Sequence, residues 1–154
     1  MTFDLRRKLK PIGKLELLRD IQQCVDAYYE RLGVLEDNPD VMRRRAVNLF
    51  NSGDLQSALR DLAAAERLYT EGAQILERLA DSDPSNAGWQ RDLVASLWRL
   101  SGQELAEPEA ARGYLVRALE ILEALDAAGR LHGEHRNWLV LVRQRLRALD
   151  ILGN

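Results

Sequence analysis

The residues best suited to metal or acid–base chemistry lie together in one short segment, His132-Gly133-Glu134-His135. Two imidazoles beside a carboxylate are ligands that zinc prefers. However, a zinc site needs three or four ligands of fixed geometry, and this spacing is not that of a zinc-protease helix. Glycines at 129 and 133 instead predict a loop. We therefore predict no metal site and no cofactor.

Other reactive side chains give no catalytic arrangement. Cys24 lies at a small position of a helical apolar stripe, which predicts a packed thiol rather than a nucleophile. The abundant carboxylates are spread along polar helix stripes and do not predict an acid–base pair. Neither a glycine-rich phosphate loop nor a Ser/His/Asp constellation can be placed in the sequence. We predict that the protein is not an enzyme.

Composition narrows the class of protein. The chain has 154 residues, of which 46% are hydrophobic and 30% charged, a profile typical of one helical domain. The net charge of -2 gives no overall attraction to nucleic acid or an anionic membrane. A single cysteine excludes an intrachain disulfide and fits a reducing compartment. With neither a signal peptide nor an apolar run of about 20 residues, the expected location is the cytoplasm.

Apolar residues recur at spacings of three and four along the whole chain, which predicts helices rather than strands. Breakers lie at 37–40 and at 81–86, where Asn and Ser can cap the following helix. Gly53 either ends the third helix or marks close packing within a longer one. The predicted helices are Leu5–Ile12, Leu15–Leu35, Val41–Phe50, Leu62–Leu79, Trp89–Leu100, Pro108 to about Leu125, and Asn137–Leu152.

One fragment occurs twice. Arg19-Asp20-Ile21 followed by Tyr28 is echoed by Arg60-Asp61-Leu62 followed by Tyr69, with equal internal spacing. Such an echo in a helical sequence predicts stacked units that share a core. Pairing successive helices gives an all-α single domain, 1–154, with units at about 4–40, 41–88 and 89–137 and a closing helix at 138–152. Trp89 begins the third unit, and we expect it to be buried.

A pattern of large and small residues repeats in these pairs. The first helix of a pair, called here the A helix, carries two large or apolar residues three apart and then a small one. The second, the B helix, carries a small residue, a large one four later and a small one three after that. The A-helix triplets are Leu9/Ile12/Gly13, Leu49/Ser52/Gly53 and Leu97/Leu100/Ser101; the B-helix triplets are Cys24/Tyr28/Arg31, Ala65/Tyr69/Gly72 and Ala111/Leu115/Ala118. Ser52 replaces an apolar residue and Arg31 replaces a small one.

These triplets resemble tetratricopeptide repeats, and the segment 83–93 (DPSNAGWQRDL) is similar to the linker of a long-repeat bacterial subgroup of that family. The resemblance implies a right-handed α-solenoid of about three repeats plus a closing helix. It also implies a groove lined by the A helices, which carry most of the positive charge. The positions it assigns to the groove are Arg7, Lys10, Lys14, Val47, Phe50, Asp54, Ala95, Trp98, Gly102, Gln144, Arg147 and Ile151.

We expect Phe50 and Trp98 to form an apolar patch in the groove, flanked by cations; the alternative is that a short array closes and buries both rings. The predicted function is a scaffold that binds an acidic or amphipathic segment of a partner protein. Two alternatives remain open. One is binding of nucleic acid or a phosphate-rich ligand through the A-helix arginines and lysines. The other is self-association, for example as a homodimer through end helices.

Overall fold

The computed structural model describes residues 15–31, 38–102 and 105–152. Those residues form six helices and no strand, which confirms the predicted all-α class. The chain divides into two compact units, Met1–Gly72 and Ala73–Asn154, with the boundary inside the third of these helices. The predicted helix Leu5–Ile12 lies outside the described residues. The helices are α1 (Leu15–Arg31), α2 (Pro39–Ala58), α3 (Leu62–Ser82), α4 (Ala87–Leu100), α5 (Pro108–Ala127) and α6 (His135–Leu152).

Helix starts follow the predicted capping residues. The Asn38 side chain accepts a hydrogen bond from the Asp40 backbone nitrogen at 3.0 Å, and Pro39 occupies the first turn of α2. The Asn86 side chain accepts from Gly88 and Trp89 nitrogens at 3.1 and 3.2 Å at the start of α4. These bonds satisfy backbone donors that have no partner within the helix.

Two helices end in the same backbone arrangement. The Asp61 nitrogen donates to the Gln56 carbonyl at 3.0 Å, and the Arg130 nitrogen donates to the Leu125 carbonyl at 2.8 Å. Each six-residue closure passes through a left-handed residue, Arg60 at φ 67° after α2 and Gly129 at φ 66° after α5. Glycine adopts this conformation without steric cost, whereas Arg60 does so against a side-chain penalty of roughly 1–2 kcal/mol.

Helices α2 and α3 of the first unit interlock through two glycines and two aromatic rings. A Cβ on Gly53 would lie 2.5 Å from Cε1 of Tyr69, and a Cβ on Gly72 would lie 2.7 Å from Cε1 of Phe50. Each ring therefore occupies the space beside a glycine of the opposite helix. Because α2 continues through Gly53 to Ala58, this glycine marks close packing and not a turn. The Tyr69 hydroxyl donates to Asp54 at 2.8 Å and fixes its ring.

The second unit packs α4 against α5 and α5 against α6. Leucines of α4 and α5 are buried in this unit, together with Val142 of α6. Two buried hydroxyls, those of Ser96 and Ser101, donate to the Leu93 and Trp98 carbonyls at 2.7 and 2.8 Å within their own helix. These bonds let small polar residues sit in the core without an unsatisfied group. Trp89, in the first turn of α4, is half-buried and so less enclosed than predicted.

All twelve members of the large–small pattern in the second and third predicted units are buried. The first unit differs. Cys24 is exposed, so the prediction that its thiol is packed is wrong. Ile21 and Tyr28 are 49% and 60% exposed. These three residues share one stripe of α1, and α1 packs against α2. No helix in the described ranges has the length and apolarity needed to cross a bilayer.

Candidate functional site

An open apolar cavity of about 390 Å³ lies between α4 and α6 in the second unit. This volume falls within the range of pockets that hold a small ligand or an anchoring side chain. Its walls are helix residues spaced three and four apart, so each helix contributes a single stripe. The lining residues are Val94, Ala95, Trp98 and Arg99 from α4 and Trp138, Leu141 and Val142 from α6.

The cavity has a buried floor and an open rim. Val94 and Val142 are almost completely buried and belong to the core of the unit. Trp98 and Trp138 are half-buried and stand as walls, while Leu141 is 47% exposed at the rim. The His135 ring lies edge-on to Trp138, with ring centroids 5.1 Å apart, and helps to hold that indole. A ligand entering the cavity would therefore meet apolar surface supported by fixed aromatic rings.

A cation lies directly beside this apolar surface. The guanidinium carbon of Arg145 is 4.6 Å from the centre of the Trp98 ring, within cation–π range. Burial lowers the pKa of Arg145 from its ordinary value. An arginine guanidinium nevertheless stays protonated in proteins, so the charge remains in place. A second cation, Arg99, donates from Nη1 to the Ala95 carbonyl at 3.3 Å and lies along its own helix.

The other face of α6 is tied to α5 by three ion pairs. Their nitrogen–oxygen distances are 2.8 Å for Arg143–Glu123, 3.0 Å for Arg112–Asp150 and 3.5 Å for Arg136–Asp126. All six side chains are substantially exposed, so each pair contributes little to stability. Their consequence is electrostatic: Arg136 and Arg143 of α6 are balanced by carboxylates of α5, and Asp150 of α6 is balanced by Arg112. Two of the four arginines of α6 are therefore already paired with carboxylates.

The structure places two of the predicted groove residues, Ala95 and Trp98, in the cavity wall. It corrects Phe50, which is only 6% exposed because its ring fills the space beside Gly72, so the alternative of burial holds for this residue. Asp54 accepts the Tyr69 hydroxyl and supports packing. Val47 is 43% exposed on α2.

The predicted residues of the closing helix are displaced from the observed site. Gln144 and Arg147 are exposed and do not line the cavity. Arg147 is two residues beyond Arg145, a rotation of about 200° around the helix, and so lies on the far side of α6. Gly102 lies just after α4, and the side chain of Ile151 and residues Arg7, Lys10 and Lys14 lie outside the described structure.

The sequence interpretation missed Trp138, Leu141 and Arg145. The family register put position 144 in the groove, whereas the spacing 138, 141, 142 and 145 follows the apolar stripe of α6 itself. That stripe contains Val142, whose burial fixes which side of α6 faces α4. Periodicity within the helix was therefore the signal that would have found these three residues.

Reactive groups elsewhere in the described residues do not assemble into a chemical site. His132 is exposed in the loop before α6, and His135 begins the helix against Trp138. In the part of the chain that the structure describes, no three His, Cys, Asp or Glu side chains are placed to share a metal ion. The cavity between α4 and α6 is thus the feature from which a function can be argued.

Comparison of the chain with protein-family models, with curated proteins and with solved structures gives no significant match.

Proposed function

We propose that this protein is a non-enzymatic binding module that holds an amphipathic, acidic segment of a partner protein in the cavity between α4 and α6. We further propose that its helix pairs are tetratricopeptide-like repeats of an α-solenoid, in which α2 and α4 are A helices and α6 closes the array. The proposed binding of a partner segment depends only on the local geometry of α4 and α6. The repeat assignment explains why an A helix and the closing helix face one groove.

Burial of the large–small pattern supports the repeat assignment. Ala65 and Ala111 are buried at equivalent positions of α3 and α5, and Tyr69 and Leu115 are buried four residues later. Small residues at these points allow close approach of helices, while the large ones fill the neighbouring layer. The exposed stripe of α1 does not follow this pattern, so the support comes from the second and third predicted units.

The observation that carries the proposed function is the pairing of an apolar cavity with an adjoining fixed cation. Aromatic anchors in partly desolvated pockets tend to dominate the affinity of protein interfaces, and charges at the rim steer association. Trp98 and Trp138 supply the apolar walls, while Arg145 supplies positive charge at the same place. A segment with an apolar side chain and a nearby carboxylate complements both features.

The site fits a nucleic acid less well. Binding driven by phosphates depends on several cations that can neutralise them together. Here Arg136 and Arg143 already pair with carboxylates of α5, and the cavity wall is mostly apolar. A peptide complex should accordingly lose only part of its affinity between low and moderate salt, whereas phosphate binding would weaken by orders of magnitude.

The proposal can be tested with random twelve-residue peptides displayed on phage and selected against the purified chain. Enriched peptides should combine apolar and acidic residues. Leu141→Asp places a charge on the cavity rim and should weaken binding at least about tenfold, because it desolvates a carboxylate against apolar surface. Val140→Asp is the matched control: Val140 is adjacent, 53% exposed and not part of the lining, so binding should be unchanged.

Trp98→Ala provides a second measure and should weaken binding by about 2 kcal/mol or more. Circular dichroism should show an unchanged helical spectrum for all three variants. If selected peptides bind Leu141→Asp and Trp98→Ala as tightly as the unmodified chain, this cavity is not the binding site. Sedimentation equilibrium without peptide tests self-association: a dimer broken by Leu141→Asp would assign the cavity to a second copy and overturn the proposal.

A further inference from the structure

The Arg145 guanidinium lies over the Trp98 ring, with its central carbon 4.6 Å from the ring centre. A guanidinium is planar: its faces are weakly hydrated and its five N–H donors point outward in the plane. An indole that covers one face therefore occupies no donor. The ring also limits the rotation of a side chain that would otherwise lose much conformational freedom on binding.

Two other arginines of α6 are used differently. Arg136 and Arg143 have nitrogen atoms within 3.5 and 2.8 Å of carboxylates of α5. Arg145 lies on the opposite, cavity side of the helix, with its guanidinium over the Trp98 ring. It is also partly withdrawn from water, which lowers its pKa. A carboxylate that reached it would meet a cation that is both oriented and partly desolvated.

We propose that Trp98 and Arg145 form a preorganised carboxylate receptor at the edge of the α4/α6 cavity. It recognises an acid carried close to an apolar group: the apolar group enters the cavity, and the carboxylate accepts two N–H bonds from the guanidinium edge. This inference rests on the proposed function, which it makes more specific. It assigns the selectivity for acidic partners to one side chain, Arg145, and assigns Trp98 the role of positioning that side chain.

Two small probes of equal shape can separate charge recognition from apolar binding. 3-Phenylpropanoate and 3-phenylpropanamide differ only in replacing a carboxylate by a neutral amide. Their affinities can be measured by NMR titration of the full chain, following the three indole N–H signals, with the Trp98 and Trp138 signals assigned from Trp98→Phe and Trp138→Phe. The acid should bind about tenfold more tightly than the amide, since hydrogen bonds between charged groups are the stronger class. Both probes should shift Trp98 and Trp138 more than Trp89.

Three variants identify the side chains responsible for the preference for the acid over the amide. Arg145→Gln should make the acid and the amide bind equally while leaving affinity for the amide unchanged. Trp98→Leu keeps the apolar wall but removes the ring, and should reduce the preference to about threefold or less because Arg145 is no longer oriented. Arg147→Gln removes an equal charge on the far side of α6 and should retain the full preference.

Equal affinity for acid and amide in the unmodified chain would overturn the receptor, as would a preference that survives Arg145→Gln. Absence of any shift with 20 mM acid would overturn it as well. These outcomes are distinct from failure of the proposed function. If phage-selected peptides lose affinity with Leu141→Asp but not with Arg145→Gln, the cavity binds its partner without this receptor. If they lose affinity with neither, the cavity itself is not the binding site.

Discussion

Replacing Gly53 by alanine tests whether the close contact between α2 and α3 excludes a side chain larger than that of glycine at this position. The new Cβ would lie 2.5 Å from Cε1 and 2.6 Å from Cδ1 of Tyr69, well inside van der Waals contact. The ring cannot simply withdraw, because Tyr69 is buried and its hydroxyl donates to Asp54 at 2.8 Å. Either the helices separate or the tyrosine leaves its position and loses that bond.

Helix propensity and steric overlap change the free energy of unfolding in opposite directions. Alanine is intrinsically favoured over glycine within a helix by about 1 kcal/mol. Overpacking a close-packed contact costs roughly 1–3 kcal/mol, and loss of the tyrosine hydrogen bond adds about 1 kcal/mol. The expected result is a net loss of about 1–3 kcal/mol in the free energy of unfolding. With a urea dependence of roughly 2 kcal/mol per molar, the midpoint should fall by on the order of 1 M.

Urea denaturation followed by far-ultraviolet circular dichroism measures this change, and the chain offers a matched control. Gly113 also lies within a helix, α5, but a Cβ there would meet no atom within 4 Å. Gly113→Ala should therefore stabilise the protein by up to about 1 kcal/mol. Gly72→Ala, whose Cβ would lie 2.7 Å from Phe50, should destabilise like Gly53→Ala. If Gly53→Ala raised the midpoint as Gly113→Ala does, the reasoning from steric fit would be refuted.

Three further changes test other parts of the fold. Ala65→Leu should lower the free energy of unfolding by roughly 1–3 kcal/mol because Ala65 is fully buried, whereas Ala63→Leu at an exposed neighbour should not; equal midpoints would contradict the packing described. Asn86→Ala should cost about 1 kcal/mol through loss of the α4 cap, while Asn137→Ala, within α6, should cost less. Cys24 should react with a thiol reagent in the folded chain nearly as fast as in urea, and strong protection would show that it is buried after all.

Much of the helical architecture could be predicted from the sequence, because the signals are local. Asn38 and Asn86 cap helices where the breaker clusters predicted new starts. The role of Gly53 was ambiguous, since glycine favours both turns and close packing. Only the contact with the Tyr69 ring, sixteen residues away in sequence, distinguishes the two roles. The prediction that the Cys24 thiol is packed was wrong for a similar reason: periodicity identifies an apolar stripe but not what faces it.

The wall of the candidate site that α4 forms could be predicted from the sequence, but the wall that α6 forms could not. Trp98 was identified because its position on α4 is equivalent to those that face the groove in the resembling family. On α6 the same transfer selected Arg147, although the helix turns Arg145 toward Trp98. The rotation of α6 about its axis follows its own apolar residues, Val142 above all, and not the register transferred from the resemblance.

The glycine–aromatic interlock also constrains how the first unit can deform. Phe50 of α2 lies beside Gly72 of α3, and Tyr69 of α3 lies beside Gly53 of α2, so each helix both supplies a ring and receives one. Sliding α2 along α3 by a single residue, about 1.5 Å, would move both Tyr69 and Phe50 out of the space beside the two glycines. Shear between these helices is therefore blocked in both directions until the contact opens as a whole. Under mechanical load, we expect this pair to yield in one abrupt step and not by gradual slippage.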